Sequence, residues 1–315
     1  MKFCSKLAYE INFEPTAVLP CCNIQRATVP RFPYDGGLFD LDAYRAFVAE
    51  SFALLQEGRV CAGCDELRDV PDGSAPVELG RLQAVSLNHN RFVCNCRCVY
   101  CDCWKQPKVP AYSILPAVKR LVASGATVPD ETIFVWGGGE PSVLGEFEET
   151  VSLLNGHGYR QRVHTNAIRH SPAMEELLRQ GKGQVNSSLD AGSAATFKAI
   201  KGVDRWDKTL DTLRKYVEAA RAAPLVSLKY IIFEANNTTA EITRFFDVCA
   251  DLGVNHVIWS FDFNESNAGR VSDKSVVAAA YFLYRAALSG MLCEHFFVAN
   301  DLLARVEAMR EKHFG

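Results

Sequence analysis

From about residue 80 onward, short apolar runs alternate with longer amphipathic stretches, and this alternation restricts the fold more than any other feature of the 315 residues. Strand-length apolar runs lie at 82–87, 132–136, 161–165, 184–189, 225–233 and 256–261. Helical patterns lie between or after them, at 113–123, 146–155, 173–179, 194–200 with 206–222, and 239–252. Six strands, each followed by a helix, are the order that parallel β/α units with right-handed crossovers require. The expectation is an α/β fold built as a partial (β/α)6 barrel over 79–270. A helical extension follows at 271–315, with helices near 275–288 and 300–312.

The strands carry a second pattern. Side chains alternate faces along a strand, so each of four polar sets points one way. The sets are Arg162, His164 and Asn166; Asn186, Ser188 and Asp190; Ser227 and Lys229; and Ser260 and Asp262. A closed eight-stranded barrel fills its interior with branched apolar side chains. If helices cover the outer face, a polar inner face suits a barrel that is partly open and holds a polar ligand. The other reading places these residues at strand ends facing solvent.

The first 78 residues differ. They are rich in cysteine and proline, hold one clear helical stripe over 41–56, and end in a turn-forming segment at 70–76. This stretch reads as a separate small domain. Ten of the chain's twelve cysteines fall within its first 103 residues. The N-terminus, Met1-Lys2-Phe3-Cys4, lacks the apolar core of a signal peptide. The most apolar helix candidate, 276–288, is too short to span a bilayer and carries Arg285. These features predict a cytoplasmic protein, where thiols stay reduced and clustered cysteines bind metal or iron–sulfur groups rather than forming disulfides. The net charge of −3, with mixed signs throughout, gives no footprint for nucleic acid or an anionic membrane.

Directly after the first barrel strand, Cys94, Cys98 and Cys101 follow the spacing C-x3-C-x2-C, with Tyr100 just before the third cysteine. A short loop with these offsets can place three thiolates on one face of a 4Fe–4S cube, leaving one iron for a small-molecule chelator. The next strand ends in Gly137-Gly138-Gly139-Glu140-Pro141. Glycine permits close backbone approach there, and a carboxylate can accept charge-assisted hydrogen bonds from an ammonium group. With the β/α alternation, these two motifs resemble the radical S-adenosylmethionine (SAM) superfamily over roughly residues 80–265. A zinc knuckle is the alternative for a cysteine-rich loop.

The resemblance implies a TIM-like partial barrel with a 4Fe–4S cluster on Cys94, Cys98 and Cys101. It assigns Gly138, Gly139 and Glu140 to the methionine amino group of SAM and Tyr100 to the adenine. Asn166, Ser188, Asp190 and Lys229 are candidate SAM contacts, with substrate contact or structural hydrogen bonding as the alternative. The implied reaction is reductive cleavage of SAM by an electron from an external flavodoxin- or ferredoxin-type donor, followed by hydrogen-atom abstraction from a substrate. The cofactors carry this chemistry while the protein orients and shields it.

Cys21-Cys22 and Cys61-x-x-Cys64, separated by a helix, resemble the auxiliary-cluster domains called SPASM or twitch, although those normally follow the barrel. The resemblance implies a second iron–sulfur cluster near the N-terminus. Its expected ligands are Cys61 and Cys64, with Cys22 or Cys21 and with Cys4; structural zinc is the alternative. Cys96 and Cys103 fall outside the family pattern. They leave the ligand register open, and the pair is a candidate for ligation of the second cluster or for hydrogen-atom donation. Cys249 and Cys293 read as buried thiols in helices. The substrate is expected to be a small molecule or sugar undergoing oxidation. The alternatives are a peptide substrate, crosslinked or epimerised, and a non-catalytic iron–sulfur or zinc protein.

Overall fold

The computed structural model describes residues 1–21, 29–64, 66–73, 77–106, 112–221 and 223–315. They form two compact units, one of residues 1–93 and 107–163, the other of 94–106 and 164–315.

The first unit runs β1 (Lys2–Phe3), α1 (Ser5–Tyr9), β2 (Glu10–Glu14), β3 (Ala17–Leu19), β4 (Phe32–Pro33), α2 (Leu41–Gln56), β5 (Arg68–Asp69), β6 (Ala84–Leu87), α3 (Leu115–Ala123), β7 (Ile133–Trp136), α4 (Phe147–Gly156) and β8 (Arg160–Thr165). The last two residues of β8 belong to the second unit. Strands β2, β6, β7 and β8 lie side by side in parallel, with Phe13 opposite Leu87 and Leu87 opposite Trp136. Strands β3 and β4 continue the β2 edge antiparallel, and β1 pairs with β5 as a separate ribbon.

The segment 1–78 therefore supplies β2, β3, β4 and α2 to the body that holds β6, where the sequence suggested a separate domain. Burial explains this arrangement: Ile11 and Phe13 on β2 and Val85 and Leu87 on β6 are all fully buried. Helix α2 starts at Asp40, whose carboxylate accepts from the Asp42 and Ala43 N–H groups. Its stripe of Tyr44, Val48, Phe52 and Leu55 is buried. Phe39 meets Phe13 edge-to-face at 5.2 Å, and Phe32 meets Tyr44 at 5.5 Å. Each such pair adds about 0.5–1.5 kcal/mol beyond area burial.

The second unit holds the cysteine loop and the end of β8. It continues through α5 (Pro172–Arg179), β9 (Gly183–Ser188), α6 (Ala194–Lys201), α7 (Trp206–Ala220), β10 (Val226–Ile232), α8 (Thr239–Leu252), β11 (His256–Phe261), α9 (Phe263–Asn267), α10 (Asp273–Leu288), β12 (Leu292–His295) and α11 (Asn300–Phe314). Strands β9, β10, β11 and β12 are parallel neighbours in that order.

The chain is thus mixed α/β with parallel strands, a partial TIM-like fold. The six expected strands correspond to β6–β11, each within two residues at either end. Strands β2 and β12 were not expected. The first sits among prolines and turns, and the second is four mostly exposed residues inside the supposedly all-helical extension. Cys293 accordingly lies half-buried on β12 rather than on a helix, whereas Cys249 is buried in α8 as expected. Ala222, at the end of the expected 206–222 helix, and 74–76 of the expected linker lie outside the described residues. No helix among the described residues is long and apolar enough to cross a membrane.

Candidate active site

Two backbone hydrogen bonds dock the cysteine loop onto the end of α6, from Arg97 N–H to Lys201 O at 2.9 Å and from Val99 N–H to Ile200 O at 3.0 Å. Within the loop, Cys101 N–H donates to Cys98 O at 3.1 Å, as does the Trp104 indole at 3.0 Å. The buried Cys96 thiol donates to Cys94 and Cys98, which pushes its own pKa up. As the acceptor, Cys98 falls to about 6; burial opposes this, and the Lys201 ammonium reinforces it. The Cys96 hydrogen bond and the Lys201 ammonium both favour the thiolate of Cys98, the form that binds iron. The Cys101 thiol, held up by its bond to Cys103, is raised. Cys96 acts here as a hydrogen-bond donor to two of the three expected ligands.

Tyr100, Asp190 and Lys201 form a hub in the second unit. Asp190 is fully buried and sits at φ +59°, the left-handed region that most side chains avoid. Its Oδ2 accepts from the Tyr100 hydroxyl at 2.6 Å and from Lys201 Nζ at 2.5 Å, while Oδ1 accepts from Ile231 N–H at 2.8 Å. Asn236 Nδ2 adds a bond to the Asp190 carbonyl at 2.9 Å. Burial pulls the Lys201 pKa down, but Asp190 and Cys98 carry it above the usual lysine value. Lys201 escaped sequence analysis, because a lysine at the end of an amphipathic helix ordinarily reads as a solvated residue. Its only signal was its place eleven residues after Asp190.

Asn166 also secures the loop. Its Nδ2 donates to Asn95 Oδ1 at 2.6 Å and to Cys96 Sγ at 3.3 Å, and its Oδ1 accepts from Ile168 N–H. Ser188 and Lys229 line one cavity with His164, Asn186, Ile258 and Phe296. Lys229 also borders a second, where Tyr100 meets Ser260, Asp262, Phe263 and Phe297. The polar strand faces do wall internal space in this unit.

In the first unit, the glycine turn after β7 packs against residues 88–93, the segment that enters the cysteine loop. Gly138 has φ +85°, and a Cβ on it would lie 3.1 Å from Arg91 Cα. A Cβ on Gly139 would sit 2.0 Å from Val93 O. No side chain fits there, and Glu140 N–H donates to the same Val93 carbonyl at 2.8 Å. Glu140 is buried, and its Oε1 accepts from Ser142 N–H and Oγ. Nearby, His89 and Asn90 are buried, and their side-chain polar atoms have no hydrogen-bond partner among the described residues. Burial lowers the His89 pKa to about 4. Glu146 Oε1 lies 3.8 Å from His89 but already accepts from Ile114 N–H at 2.6 Å, so burial decides the charge.

The first unit also gathers N-terminal thiols. Cys4 is buried at the start of α1, and Cys64 lies close enough to raise its pKa, although burial is the larger cause. Cys61 and Cys64 share a turn, with Cys64 N–H donating to Cys61 O at 3.2 Å. Cys21 neighbours the Tyr44 hydroxyl, and its carbonyl accepts from Asn12 Nδ2. Cys22 lies outside the described residues. Among the described residues no disulfide forms, and no three His, Cys, Asp or Glu side chains converge as the ligands of a single metal ion would.

Residues 92–234 match the radical SAM superfamily, so the chain carries a radical SAM domain over that stretch. A domain of this superfamily takes a 4Fe–4S cluster and SAM as its cofactors. A probable GTP 3′,8-cyclase from Saccharolobus islandicus is 28% identical over 174 residues, 55% of this chain and 54% of that protein. The chain thus spans about half the length of the curated relatives it matches. The crystal structure of Streptococcus suis SuiB bound to S-adenosylmethionine shares the fold at a TM-score of 0.55 and 12% identity, over 85% of this chain and 58% of SuiB. SuiB bound to its precursor peptide SuiA gives a TM-score of 0.53 and 11% identity, over 98% and 75%.

Proposed function

We propose that the chain binds a 4Fe–4S cluster through Cys94, Cys98 and Cys101, cleaves SAM reductively, and oxidises a small polar substrate by hydrogen-atom abstraction. The observation that carries this reading is the cysteine loop, pinned to α6 and to the Tyr100–Asp190–Lys201 hub with Cys98 beside the buried Lys201 ammonium. When bound, the cluster supplies the electron that splits SAM into methionine and a 5′-deoxyadenosyl radical. The protein's own residues position and shield. Gly138, Gly139 and Glu140 take the SAM amino group, and Tyr100, which lines a cavity in the second unit, takes the adenine side. Asp190 and Asn166 act by holding the loop, since each spends side-chain atoms on protein partners. Ser188 faces internal space. Cys4, Cys61 and Cys64, with Cys21 or Cys22, hold a second iron–sulfur cluster, and a flavodoxin- or ferredoxin-type protein is the electron donor.

The small-substrate reading is supported by the close-set polar lining of His164, Asn186, Ser188 and Lys229. The name of the Saccharolobus relative also points to a small molecule, a nucleotide. Peptide modification is the second reading, favoured by the fold shared with the peptide-bound SuiB over nearly the whole chain. Anaerobically reconstituted, reduced protein should form 5′-deoxyadenosine from SAM; its absence would sink the reading. Deuterium transfer into 5′-deoxyadenosine from labelled nucleotides, sugars or peptides then identifies the substrate class.

A further inference from the structure

We infer that the cavity walled by His164, Asn186, Ser188 and Lys229 binds an anionic group of the substrate, a carboxylate or a phosphate. This rests on the radical SAM reading and names what the substrate must carry.

Lys229 lies within β10, opposite Ser188 on β9 and Ile258 on β11. Its ammonium reaches the Phe296 ring, 5.6 Å from the centroid, and pairs with no carboxylate among the described residues. The nearby Asp190 is committed to Lys201, Tyr100 and Ile231. Burial consequently lowers the Lys229 pKa, with Lys201 adding repulsion and Asp190 only partly opposing it. A half-buried cation without a counter-ion among the described residues is partly desolvated, and an incoming anion relieves that cost.

The remaining lining is rich in donors. Asn186 Oδ1 accepts from the Ser227 hydroxyl at 2.7 Å, which leaves its NH2 group as the end available to a ligand. Ser188 adds a hydroxyl, and among the described residues no carboxylate lines this cavity. The neighbouring cavity, which Lys229 also borders, differs in carrying a carboxylate, Asp262, on its wall. It also includes Tyr100 of the cysteine loop, whereas the Asn186 cavity includes no residue of that loop. SAM has to reach the cluster and so belongs on the Tyr100 side. The donor-lined cavity is then left to a second molecule, and Lys229, which borders both cavities, presents its charge at their junction.

The test uses the reconstituted holoenzyme under anaerobic conditions, with inorganic phosphate and acetate as probes and thermal unfolding as the readout. Either anion should raise the wild-type midpoint. In Lys229→Gln the anion affinity should fall about ten-fold, as expected when a charged hydrogen-bond donor is lost. Lys229→Arg should retain it, and Asn186→Leu should weaken it without removing the charge. SAM affinity, measured by calorimetry, should stay within about two-fold in Lys229→Gln. The inference is overturned if neither anion shifts the wild type, if Lys229→Gln responds as the wild type does, or if Lys229→Gln loses SAM affinity about ten-fold. That last result would assign Lys229 to the SAM carboxylate. Failure of the wild type to bind SAM would instead refute the proposed function, while the anion titrations would still report on the cavity.

Discussion

Asp190 and Lys201 show how much can hang on one buried pair. Both are almost wholly inaccessible, and the carboxylate is satisfied only because an ammonium, a phenol and a backbone N–H converge on it. Removing one partner of such a pair leaves an uncompensated buried charge, at a cost of about 3–5 kcal/mol. Lys201→Met should therefore destabilise the apo protein by roughly that amount in urea unfolding. Lys201→Met with Asp190→Asn should cost less than the sum of the two single changes, because the two residues are coupled. An additive result would show that the hub is not a unit. His89 yields a pH prediction. Its folded pKa of about 4 lies below the ordinary 6.5, so between these values the unfolded chain takes up a proton that the native protein refuses. Stability should thus be full above pH 6.5 and fall as the pH drops toward 4, by at most about 3 kcal/mol. His89→Phe should flatten that part of the profile, and an unchanged slope from pH 6.5 to 4.5 would refute the assignment.

Among the elements, the glycine turn after β7 makes the sharpest prediction. A Cβ at Gly139 would collide with the Val93 carbonyl, which is backbone and cannot swing aside. Gly139→Ala should displace the turn or the entry to the cysteine loop and abolish SAM binding, while costing about 1–3 kcal/mol or more in stability. Gly145, which has open space around its Cβ position, is the control, and Gly145→Ala should bind SAM normally. Equal behaviour of the two variants in calorimetry would contradict the close approach. Both this turn and the strands β6–β11 were legible because each is a local pattern: an apolar run, then glycine or a helical stripe. Strand β2 was not, since its burial comes from β6, which follows some seventy residues later. Strand β12 has almost no burial to betray it. The cysteine spacing identified the loop but left Cys96 ambiguous. Its role as donor to Cys94 and Cys98 emerges only in the folded loop, where Asn166 in turn donates to its sulfur. Lys201 stayed hidden for the same reason, because Tyr100 lies 101 residues before it in sequence.

At the scale of the whole chain, the thiols divide between the two units. Cys4, Cys21, Cys61 and Cys64 belong to the first, and Cys94, Cys96, Cys98, Cys101 and Cys103 to the second. Each set has its own backbone supports: the turn that joins Cys61 to Cys64 beside Cys4, and the docking of 97–99 onto α6. Loss of metal from one set should therefore leave the other set loaded. Reconstituted protein should carry about eight irons per chain, as two cubes require. Replacing Cys94, Cys98 and Cys101 together by Ala should leave about four irons and remove the change that SAM produces in the electron paramagnetic resonance spectrum of the reduced protein. Replacing Cys4, Cys61 and Cys64 together should also leave about four, but should preserve that SAM-dependent change. About four irons with one zinc in the wild type would assign the N-terminal thiols to zinc. An iron content unaffected by the N-terminal replacements would remove those thiols from cofactor binding, leaving Cys4 as a buried thiol whose pKa is raised chiefly by desolvation.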